Sequence, residues 1–148
     1  NDWFFGMKAN VGVDDQSGLV YTLKTSTAKV NDNAVVEELW HGKEKRKFGD
    51  KGYYDQNAKR AARAEGIFWG VLDRGKRGHP LSSSQKKRNK KLSSVRSKVE
   101  HPFQVLNCQW KYEKVRYRGL YKNTMQLFSL FMLINLFKVR RRLLCCAS

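Results

Sequence analysis

Acidic residues are the scarcest functional group in this 148-residue sequence, with 13 Asp and Glu against 30 Lys and Arg. That imbalance leaves a formal net charge of +17 and excludes partners that are themselves cationic. Cysteine is nearly as sparse. Three Cys, two of them adjacent at Cys145 and Cys146, make no disulfide framework. No CxxC or CxH spacing occurs, so a zinc site is not indicated, and a reducing cytoplasm is the simplest compartment. No basic n-region leads into an apolar run near Asn1, so the start does not read as a signal peptide. No uninterrupted apolar run reaches the roughly 20 residues of a membrane span. No GxSxG, no phosphate-binding glycine loop, no nucleophile–base pairing and no internal repeat is present.

What remains is enough for one domain, or for part of a larger one. Hydrophobic residues make up 41% and aromatics 12%, so wholesale disorder is not expected. The charge is uneven. Residues 1–40 hold three basic and six acidic residues, which leaves 27 basic and seven acidic for the rest. From Arg74 to Lys98 there are ten basic residues and no acid. A short run of this kind is ordinarily a solvated face. An excess sustained over half a chain repels itself without a counter-charge, and points to nucleic acid.

The coarse order reads β-β-α-β-α-β-loop-α-α. In residues 3–13, Phe5, Met7, Ala9, Val11 and Val13 alternate with Lys8 and Asn10, which predicts a half-buried strand. DDQSG at 14–18 is turn chemistry, and LVYTLK at 19–24 returns as the second strand of a hairpin. Asn31 or Asp32 caps a short helix whose stripe is Val35, Val36, Leu39 and Trp40, ending near Gly42. KRKFGD at 45–50 is a short strand ending at Asp50. Asp55 caps a helix with Ala58, Ala61 and Ala62 inward and Gly66 at its end. IFWGVL at 67–72 reads as a strand covered on both faces.

Residues 73–85 are Gly, Pro, Ser and charge, an exposed basic loop. Leu92, Val95, Val99, Phe103, Leu106 and Trp110 then form one helical stripe. Pro102 falls inside it, and because the stripe keeps its phase, a kink is expected rather than a stop. Residues 123–144 form an apolar C-terminal helix, read as core, with attachment to a partner or membrane surface as the minority reading. Arg140–Arg142 suit the negative end of its dipole. An antiparallel pair followed by alternating α and β predicts a mixed sheet with helices on its faces.

Two acids stand out in the basic region. Asp50 sits where a strand gives way to a turn, a common ligand position; its ordinary reading is a turn aspartate satisfying its own backbone. Glu100 follows Arg96 by four residues, ordinarily a surface ion pair. Together, carboxylates from separate elements within a basic surface are what Mg²⁺-dependent phosphoryl transfer on nucleic acid requires. A bridging carboxylate is still wanted, and Asp14, Asp15 and Asp73 are candidates by position, each in a turn signature. His41, His79 and His101 are too scattered to imply a ligand set, and Cys108 reads as a small core or boundary residue. Trp110, Tyr112, Tyr117 and Tyr121 alternate with Lys111, Lys114, Arg116 and Arg118, as bases stacked between phosphate contacts require; they suit a core with snorkelling neighbours equally well.

WFFGMKANVGVDDQSGLV, FGDKGY at 48–53, VRSKVEHPFQVL at 95–106 and KVRYRGLYKNTMQL at 114–127 resemble, in order, the catalytic domain of bacterial DDE transposases of the insertion sequence 5 type. The resemblance implies a ribonuclease-H-like fold, three acidic ligands, two Mg²⁺ ions and cut-and-paste chemistry on DNA. It places the second acid on Asp50, the third on Glu100 and the signature arginine on Arg96, while Asp14 occupies a recurrent position that is not a ligand. Lys98, Lys111, Lys114, Arg116 and Arg118 join Arg96 as expected DNA contacts. The lysine of the signature is replaced by Asn107, with Lys111 and Lys114 expected close by on the same helix. The first aspartate belongs to a central strand upstream of the WFFGMK strand and has no counterpart here. The expectation is a C-terminal part of the catalytic domain over 1–148, inactive alone. Its partners would be transposon ends and target DNA, with a further copy or a full-length transposase, in the bacterial cytoplasm at the nucleoid and without a membrane. The rival expectation is a small basic nucleic-acid-binding module with no catalytic ancestry.

Overall fold

A computed structural model describes residues 6–31, 34–35, 37–75 and 78–146. The chain divides into two units, residues 1–31 with 99–148 and residues 32–98.

In the first unit, β1 (Met7–Val13) and β2 (Val20–Thr27) pair antiparallel, with Val11 opposite Leu23. The connecting turn is closed by backbone bonds from Asp14 N to Leu19 O (2.9 Å) and from Gly18 N to Asp14 O (2.9 Å). Asp14 also accepts from the Ser17 amide and hydroxyl, both at 2.6 Å. Its carboxylate therefore serves the turn, as the DDQSG pattern predicts. The alternation holds through Val11: Met7, Ala9, Val11 and Val20 pack on the core of Leu23, Val105, Leu106, Leu127, Phe131 and Ile134, whereas the register shifts between Gly12 and Val13 and Val13 is not part of that packing. The Trp3–Phe5 start of the expected strand, with Asp32 and Val36 of the expected short helix, lies outside the described residues.

The C-terminal helix, here α3, spans Leu120–Cys146, longer at both ends than 123–144. Arg140–Arg142 therefore lie inside it rather than at its end. One face enters the core, with Ile134 fully buried. The other face keeps Phe128, Met132, Leu133 and Leu136 exposed, so the reading of a wholly buried helix holds for one side only. Polar side chains tie α3 to the hairpin. Asn135 donates to Val20 O at 2.7 Å and accepts from Val20 N at 2.9 Å, and Thr25 and Thr124 hydroxyls meet at 2.6 Å. No described helix is long and apolar enough to cross a membrane.

In the second unit, β3 (Arg46–Gly49) and β4 (Phe68–Val71) run parallel, joined by α1 (Gln56–Ala64), a strand–helix–strand unit. Asp55 caps α1 by accepting from Asn57 N at 2.8 Å. Ala62 is buried and Ala58 half-buried against Trp69 and Val71, but Ala61 faces water. A nine-residue helix on two strands presents only a narrow line of contact, and Ala61 lies to one side of it. Trp40 packs edge-on to Trp69 at 6.0 Å. Gly70 is required by close approach, since a Cβ there would sit 2.5 Å from Cδ1 of Phe48. Phe68 is half-exposed, so β4 is covered on one face at that end only.

Among the described residues β1 and β2 form one two-stranded sheet within the first unit, and β3 and β4 form another within the second. The segment read as an exposed loop over 73–85 is shorter than expected. Asp73 is buried, and α2 begins at Ser83 and runs to Gln104. Pro102 sits inside α2 without ending it. The helix instead widens into a π-helical turn, Val105–Gln109, closed by Trp110 N on Val105 O at 3.0 Å. Lys111 then adopts φ 52°, which ends the helix; Lys111 and Lys114 are therefore not on it. Cys108 is exposed on the π turn rather than at a core boundary.

Candidate functional site

Asp50 follows the last residue of β3 and opens the 3₁₀ turn Lys51–Tyr53. The turn is held by the main chain, Tyr53 N on Asp50 O at 3.0 Å. The Asp50 side chain makes no capping hydrogen bond. The ordinary reading, a turn aspartate consumed by its own backbone, therefore fails. The carboxylate instead meets Arg96 of α2, Nη1 to Oδ1 at 3.4 Å. Both side chains are well exposed, so the pair contributes at most about 1 kcal/mol and sets orientation more than stability.

The pair lies in an open groove of about 550 Å³. Lys51, Lys86, Lys90 and Arg96 supply four cations to its lining, beside the neutral Asn89 and Ser93, whose hydroxyl donates to Asn89 O at 2.8 Å. Lys86, Lys90 and Ser93 fall on one face of α2 at helical spacing. Asp50 is the single carboxylate of that lining. Such a surface attracts phosphate, and its one acid sits where the strand ends.

Asp73, weighed as a further ligand by position, is unavailable. It is buried, bonded to Arg88 at 2.7 Å and approached by Lys59 at 3.8 Å. Arg88 also donates to Trp69 O at 2.7 Å and Val71 O at 3.3 Å. Asn89 brackets the Asp73 backbone, accepting from its N at 2.9 Å and donating to its O at 3.0 Å. Arg88 and Asn89 thus staple the end of β4 to α2, and this holds the groove's helix in place. Sequence reasoning missed both, because within KKRNKK they look like any other solvated residues.

Glu100 is exposed on α2, one turn after Arg96. Lys98 is exposed on the same helix. Lys114, Arg116 and Arg118 are exposed in the irregular segment before α3. Among the described residues no three His, Cys, Asp or Glu side chains gather to hold an ion. The groove supplies one carboxylate, Asp50, of the three that the resemblance implies.

The aromatic residues divide. Trp110 packs on Phe137 at 6.3 Å, and the Tyr112 hydroxyl reaches Gln126 at 3.4 Å. Burial pushes the Tyr112 phenol above its ordinary pKa, against the opposing pull of Arg116. Tyr117 and Tyr121 are exposed.

No solved structure matches the chain. A family profile described as the transposase DDE domain matches residues 1–136, nearly the whole of the sequence. The chain belongs to the transposase DDE domain family.

Proposed function

We propose that this chain is the C-terminal part of the catalytic domain of an insertion sequence 5 type transposase. On this reading it descends from a ribonuclease-H-like fold, acts in transposition, binds DNA and does not cut it alone. The observation that carries the reading is Asp50, free of its own turn and set against Arg96 in a groove with three lysines. That is the placement the second acid of a DDE site would take. Arg96, Lys98, Lys111, Lys114, Arg116 and Arg118 are the DNA contacts of this reading, and Lys51, Lys86 and Lys90 join them. DNA ends and target DNA are the partners, with Mg²⁺ the ion of the ancestral chemistry and Glu100 its third acid.

The purified chain is expected to retard duplex DNA at low salt and to leave supercoiled plasmid intact with Mg²⁺ or Mn²⁺. Nicking that disappears in Asp50→Ala would overturn the inactivity. Failure to retard DNA at low salt would overturn the binding.

A further inference from the structure

The segment Lys111–Lys122 carries five basic residues and one acid, Glu113. Of its tyrosines, Tyr112 is taken up by the core, whereas Tyr117 is 51% and Tyr121 73% exposed. Exposed aromatic rings lose the burial that normally repays their ordering, so their placement calls for another partner. Both line one open groove of about 470 Å³, together with Lys122, Met125, Gln126 and Ser129.

The groove is held in shape from beneath. Asn123, buried in the first turn of α3, donates to Tyr117 O at 2.6 Å and to Gly119 O at 2.8 Å. It also accepts from Tyr117 N at 3.1 Å. Gly119 between them adopts φ +86°, a conformation that side-chain-bearing residues rarely enter. The backbone that carries Tyr117 is therefore fastened to the helix that carries Tyr121. Little ordering remains to be done on binding.

We propose that this groove is a stacking site for an unpaired nucleotide. A base in single-stranded DNA offers its face to a tyrosine ring, and its phosphates meet Lys122 and the neighbouring Arg116 and Arg118. In a duplex the same base faces are occupied by neighbouring bases, so only the cations act. The Gln126 amide, whose oxygen accepts from Tyr112 at 3.4 Å, has N–H donors suited to a base edge. The charge balance of the segment selects a polyanion over an acid-poor protein surface. The inference rests on the DNA-binding reading, not on any chemistry at Asp50, and it adds single-strand preference at a second place.

The test compares wild type, Tyr121→Ala and Tyr121→Phe by fluorescence anisotropy. The probes are a labelled single-stranded oligothymidylate and a duplex of the same length. Tyr121→Ala is expected to weaken single-strand binding about tenfold and leave duplex binding unchanged, with Tyr121→Phe close to wild type on both. The exposed position of Tyr121 spares the core, and Tyr117→Ala repeats the test with a second ring. Unchanged single-strand binding in both alanine variants overturns the stacking site while the DNA-binding reading stands. Equal loss on both probes overturns it as well, since a charge or folding effect then explains the data. Absence of binding by wild type to either probe at low salt overturns the underlying reading too.

Discussion

The Arg88 guanidinium meets three oxygens, the Asp73 carboxylate and the carbonyls of Trp69 and Val71. Asp73 is buried, so removing its partner strands a charge with only Lys59, at 3.8 Å, to answer it. Arg88→Ala is expected to cost about 3 kcal/mol, read as a lower midpoint in urea denaturation. Arg88→Lys should recover only part of that, because an ammonium lacks the fork that reaches carboxylate and carbonyls together. By contrast the Asp50–Arg96 pair is exposed, and Arg96→Ala should change stability by less than about 1 kcal/mol. The sequence marked Asp50 as the acid to watch, from its place at a strand end. It marked Asp73 only as a possible bridging ligand in a run that reads as loop, and not as the buried partner of Arg88. Its partners lie on a helix fifteen and sixteen residues on, a contact no local pattern encodes.

At the level of elements, the capping residue and the stripe did most to make the fold legible. Asp55 was readable because an N-cap acts within its own turn. Asp55→Ala is expected to destabilise α1 by about 1 kcal/mol, seen as a lower thermal midpoint. The hairpin was readable from alternation, and α2 from spacing. The end of the α2 stripe was not. Pro102 leaves a carbonyl in the preceding turn without its usual donor, and the chain settles into a π turn that brings Val105 and Leu106 into the core. Leu106 was on the expected stripe, whereas Val105 was not. The two-sided character of α3 was equally hidden, because both of its faces are apolar. Ile134 is fully buried, and Ile134→Ala should cost about 3 kcal/mol in the same measurement.

For the whole molecule, +17 acts as a field before any contact forms. DNA affinity should fall steeply with salt. Plotted as log affinity against log salt, Lys86→Gln combined with Lys90→Gln should flatten the slope by about two if both lysines meet phosphate. An unchanged slope would remove the groove from the DNA path. Charge, element order and the transposase resemblance were determined by the sequence alone, since composition, periodicity and motif blocks are properties of neighbouring residues. Only the tertiary structure decided that β3 and β4 pair in parallel, that Asp73 serves as a fastener, and that Asp50 faces Arg96. It also decided which tyrosines enter the core and which face water. The physical reason is common to all four. Hydrogen-bond partners, burial and ion pairing depend on groups brought together from distant parts of the chain, and the same residue type has a different role when its neighbours in space change.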